Sequence, residues 1–186
     1  MTFLSRFLLL YLCHFSLSAN ADEPDVSHAS AQWQMWAYST AAPSFIGEFA
    51  TILDQSNDVL RVGSNGWTCM PGTPPNENVN PMCVDKAWQK WLDAFVNKKP
   101  YDSESASFGM SYMLVGDVPV DNDDPRNTDR SKGTWVQEGP HLMILLPESM
   151  MKDFPRDPYA GGPYVMFDGT DYVHMMVPLT ALERPE

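Results

Sequence analysis

His141-Leu142-Met143 and His174-Met175-Met176 repeat one unit, an imidazole and a thioether two residues apart. In a β-strand, residues two apart point to the same face, so each unit would present one nitrogen and one sulfur together. Two such strands lying side by side would collect His141, Met143, His174 and Met176 into a four-donor site. Imidazole and thioether are donors that suit copper, above all Cu(I). The same residues have an ordinary use. Methionine is abundant here, with 12 in the chain, and it fills irregular cores well. A histidine in an apolar strand is more often a hydrogen-bonded interior residue than a ligand. Copper binding is therefore an expectation to be weighed against core packing.

The use of the cysteines depends on compartment. Met1 to Ala21 carries a single positive charge at Arg6, an apolar run from Phe7 to Phe15 and an Ala19-Asn20-Ala21 ending, the three parts of a secretory signal. The run is well short of the ~20 residues that a membrane-spanning helix needs. Residues 1–21 are thus read as a cleaved signal peptide, and 22–186 as a single globular domain with no integral membrane segment, periplasmic or secreted. Cleavage removes Cys13 and leaves Cys69 and Cys83 in a compartment where disulfides persist. Their spacing matches no common zinc or redox motif. A bond between them closes a Pro-, Gly- and Asn-rich loop, stabilising by about 3 kcal/mol in the chain-entropy model.

With 24 acidic and 12 basic side chains, the formal net charge is −12. The cationic surface that supplies most nucleic-acid affinity is missing, so no nucleic-acid partner is expected, and anionic membranes are disfavoured by the same sign. The acidic stretch Gly116 to Gly133 contains Asp121-x-Asp123, the start of a calcium-loop pattern. Pro125 and Arg126 stand where the next ligand and the turn glycine are needed. Gly109-Met110-Ser111-Tyr112-Met113 approaches a hydrolase nucleophile turn and lacks its second glycine. No spacing singles out a pair of catalytic carboxylates, and binding is expected rather than catalysis.

These residues need elements to hold them. Small and aromatic residues recur at helical steps between Val26 and Tyr38. Val84, Trp88, Trp91, Leu92 and Phe95 trace one face of a helix over 84–97, begun by Asp85 and ended by Lys98-Lys99-Pro100. Strands are expected over 50–53, 59–61, 108–115, 140–146, 164–167 and 170–177. The run 140–146 is apolar on both alternating faces and should be interior, and Asp168-Gly169 between apolar runs signals a hairpin. Strands outnumber helices, so the expected fold is α+β, a largely antiparallel sheet with one or two packed helices.

Asn65-Gly66-Trp67-Thr68-Cys69, Pro81-Met82-Cys83, Gly139-Pro140-His141 and Gly161-Gly162-Pro163-Tyr164-Val165-Met166 resemble a family of exported bacterial proteins of unknown function. The resemblance implies export and a bacterial source, and no activity. The separation of His141 from His174-Met175-Met176 also resembles that in exported copper chaperones that load cytochrome oxidase. Where those carry an intermediate methionine, this chain has Lys152, preceded by Met150 and Met151. The expected function is a binding or envelope-accessory module for a small molecule or an envelope protein. Copper binding through the His-x-Met pairs is the alternative, and secreted hydrolysis the third reading.

Overall fold

The computed structural model describes residues 22–72 and 80–184; the signal peptide expected at 1–21 lies outside them. The most prominent helix follows Cys83. Asp85 caps it, its carboxylate accepting from the backbone N–H groups of Ala87 and Trp88, two of the donors that every helix start leaves without a partner. Helix α3 then runs Lys86–Val96 and buries Trp88, Trp91 and Ala94, the stripe that their three- and four-residue spacing dictates. Phe95 packs at its margin, partly buried. Earlier in the chain, Ser30 caps α1 (Ala31–Ser39) through its hydroxyl, so this helix begins later than the apolar spacing from Val26 suggests. A single turn, α2 (Ser44–Gly47), follows.

The strands are β1 (Thr51–Leu53), β2 (Val59–Arg61), β3 (Thr68–Met70), β4 (Met82–Val84), β5 (Gly109–Met113), β6 (Val120–Asp121), β7 (Trp135–Val136), β8 (His141–Leu145), β9 (Tyr164–Met166) and β10 (His174–Pro178). Eight of them form one sheet in the order β2-β1-β3-β4-β5-β8-β10-β9, while β6 and β7 pair separately and close the acidic loop. Neighbours in the large sheet are antiparallel except β1 and β3. The chain reverses twice between those two strands and so arrives parallel. The architecture is α+β and sheet-rich, with this one parallel contact and with a third, short helix beyond the one or two expected. Strand β8 lies inside the sheet, between β5 and β10, as a strand apolar on both faces requires.

Alternation along the strands divides the interior in two. Val84, Met113, Met143, Leu145, Tyr164, Met166 and Met176 point towards Trp88 and Trp91 of α3. On the opposite face Ile52, Cys69 and Cys83 pack against Trp33, Ala37 and Tyr38 of α1. Cys69 and Cys83 are directly opposed on β3 and β4 and are bonded to each other. Gly109 lets α3 approach β5, since a Cβ there would stand 2.8 Å from the Ala87 Cβ. The face carrying His141 and His174 is consequently roofed by aromatic side chains.

Candidate metal centre

The four donors selected by their spacing all turn to the α3 face of adjacent strands, and all are buried. Met143 stands opposite Met176, and His141 opposite Pro178. His174 is displaced two residues from the methionine pair in one direction and His141 two residues in the other. The two imidazoles therefore sit at opposite ends of the paired strands.

Between this face and α3 lies a cavity of about 90 Å³. Met82, Met113, Met143, Met176 and Met166 line it, one methionine from each of five successive strands of the sheet, β4, β5, β8, β10 and β9. His174 lines it as well, and His141 is not among the lining residues. The cavity thus collects three of the four sequence-selected donors and adds three sulfurs that spacing alone did not mark. Met113 and Met166 occupy alternating positions in segments recognisable as strands, but only the strand order brings them to His174.

His174 is 2 % exposed, and its Nδ1 lies 3.0 Å from the Tyr172 carbonyl oxygen. A carbonyl only accepts, so Nδ1 carries the proton and Nε2 keeps its lone pair. No hydrogen-bond partner reaches Nε2 among the described residues. The rings of Trp88, Trp91 and Phe167 meet the imidazole edge-on at centroid distances of 5.4, 5.3 and 5.3 Å. Burial pushes its pKa down to about 4, the Tyr172 bond opposes the fall, and His141 adds a smaller lowering. The imidazole is neutral at pH 7, the form in which histidine binds metal. His141 is fixed in the same way, Nδ1 2.7 Å from the Gly139 oxygen and Nε2 without a partner among the described residues, with burial again lowering its pKa.

Asn80 and Asp117 also line the cavity. Asp117 Oδ1 accepts from the Asn80 amide at 2.8 Å and from the Val118 backbone N–H at 2.7 Å. Burial nevertheless pushes its pKa up to about 6. On the outer wall, Phe95 stacks on Trp91 at 4.9 Å and carries the Arg126 guanidinium 4.3 Å above its ring. Arg126 also donates to the Phe95 carbonyl oxygen. Phe167, a second wall residue, adopts φ 57°.

Comparison with protein-family models, with curated proteins and with solved structures found no match. The chemistry of the site therefore rests on its own residues. Among the described residues, no three His, Cys, Asp or Glu side chains are grouped to hold a metal ion. In this cavity thioethers supply five of the six soft donors. Ser111 is fully buried on β5, and its hydroxyl bonds to no described group, so no serine–histidine hydrogen bond exists there. Asp121, the first residue of the calcium-like pattern, is spent on its own loop. Its carboxylate accepts from the Asn127 amide and from the Asp123 and Thr134 backbone N–H groups.

A larger, open groove of about 750 Å³ lies beside the start of α3 and is lined in part by Trp67, Tyr101, Phe108, Lys86 and Lys90. Its Asp85 is engaged as the helix cap, and its Asp102 is held by Ser105.

Proposed function

We propose that this chain is an exported binding protein that holds one soft cation, Cu(I), in the methionine-lined cavity between the sheet and α3. One observation carries the reading: a buried, neutral imidazole whose Nε2 has no partner among the described residues lines the same cavity as five thioethers. Neutral nitrogen and thioether donors favour Cu(I) over harder divalent ions. His174, Met143 and Met176 are adjacent on two paired strands and form the core of the proposed donor set, with Met82, Met113 and Met166 around them. The Cys69–Cys83 disulfide supports a periplasmic or extracellular location, and it leaves imidazole and thioether as the soft donors.

Elemental analysis of protein exported to the periplasm, followed by Cu(I) competition against a chelator, tests this. One copper per chain, a raised melting temperature on adding Cu(I), and loss of both in His174→Ala are expected. Copper at background and an unchanged melting temperature would return the methionines to core packing alone.

A second reading, a module for an anionic small molecule or envelope partner, is supported by the groove beside α3. Lys86 and Lys90 face it without ion-pair partners among the described residues, next to three aromatic rings. Lys86→Met with Lys90→Met should abolish capture of such a ligand and leave Cu(I) binding untouched.

A further inference from the structure

The sulfur and nitrogen donors of the cavity are all neutral, so a cation seated among them would bring an uncompensated charge into an apolar interior. Such a charge is costly unless an opposite one accompanies it. Apart from His174, the cavity wall holds a single ionisable side chain among the described residues, Asp117. Two hydrogen bonds reach its carboxylate from the described residues, both at Oδ1. Asp117 takes part in no ion pair with Lys, Arg or His among the described residues. Asp117 and His174 line the same cavity, so a cation bound there shares it with the carboxylate, and their attraction grows as the separation shrinks.

We propose that Asp117 is the counter-charge of this site, and that its single negative charge makes the cavity selective for a singly charged soft cation, Cu(I) or Ag(I), over divalent ions. The inference rests on the reading of the cavity as a soft-metal site. A monovalent ion paired with one carboxylate leaves the cavity neutral, whereas a divalent ion leaves one positive charge that no other described side chain lining the cavity offsets. Asn80, whose amide donates to the same carboxylate, holds it in place. Asp117 is thus a specificity-determining residue.

The experiment compares three full-length exported chains by chelator competition for Cu(I) and, separately, for Ag(I): wild type, Asp117→Asn, and the exchange Asn80→Asp with Asp117→Asn. The exchange moves the carboxylate across one hydrogen bond while preserving the amide–carboxylate pair. Asp117→Asn should weaken both metals tenfold to hundredfold, to the same degree, with an unchanged near-ultraviolet dichroism spectrum. The exchange should recover most of the loss. A folded Asp117→Asn chain that binds Cu(I) within threefold of wild type overturns the counter-charge role and leaves the cavity reading standing. A loss for Cu(I) without a matching loss for Ag(I) also overturns it, because charge acts on both alike. Should Asp117→Asn fail to fold, the exchange variant decides: binding far below wild type overturns the proposal. A wild-type chain that takes up neither metal overturns the cavity reading and the counter-charge together.

Discussion

Met143 and Met176 stand directly opposite each other on β8 and β10, both buried and both on the α3 side of the sheet. Replacing either by leucine keeps volume and apolarity, so the cost in stability should stay below about 1.5 kcal/mol. Cu(I) affinity should nonetheless fall at least tenfold in Met143→Leu or Met176→Leu, because leucine supplies no donor where the thioether stood. His141→Gln, at the far end of the strand pair, should change affinity less than threefold. Chelator competition and thermal melts on the same preparations separate the two effects.

Two opposed groups of the cavity should contribute to the acid response of the apo-protein. His174, pushed down to about 4 from an ordinary 6.5, takes up its proton later when folded than when unfolded. It therefore withdraws stability as pH falls from about 6.5 towards 4. Asp117, pushed up to about 6 from 3.8, is protonated earlier when folded, and it returns stability as pH falls from about 6 towards 3.8. Asp117→Asn removes the second contribution. Its melting temperature should drop more steeply than that of wild type between pH 6.5 and about 4.5, and parallel curves in calorimetry would contradict the assignment.

Trp88 is 1 % exposed and meets His174 and Trp91 with its ring. Trp88→Ala should cost about 3–5 kcal/mol in denaturant unfolding. A cost under about 1 kcal/mol would mean that the site relaxes into the space.

The Cys69–Cys83 bond ties β3 to β4 across a sequence separation of 14. Reduction, or paired Cys69→Ala and Cys83→Ala substitution, should lower stability by about 3 kcal/mol. Intact mass of non-reduced protein should fall two hydrogens short of the dithiol form. Two alkylatable thiols in unreduced exported protein would refute the bond.

Local sequence carries much of this structure. Asp85, the Trp88 and Trp91 stripe and Lys98-Lys99-Pro100 mark the start, buried face and end of α3 without reference to anything distant. Each His-x-Met unit shares a face because period-two geometry needs only its own strand. The offset between His141 and His174 is not local: it is fixed by the β8–β10 register, which depends on the β9–β10 hairpin and on pairing with β5. Met82 carries no local signal either, because β3 and β4 are three residues long, too short for alternation to show. The five methionines meet only once helix α3 and the acidic loop have brought their strands into one sheet.

Phe167 holds its ring in the cavity wall on a backbone with φ 57°, a region that a bulky side chain enters at a cost of about 1–3 kcal/mol. Asparagine or glycine would sit there with less strain, and either would take the ring away from His174. The ring is buried in the core beneath α3, and removing a buried phenylalanine costs about 3–5 kcal/mol, more than the strain it would relieve. A laboratory lineage screened for heat tolerance alone should therefore keep phenylalanine at 167, and the strained backbone persists because the packing it serves outweighs it.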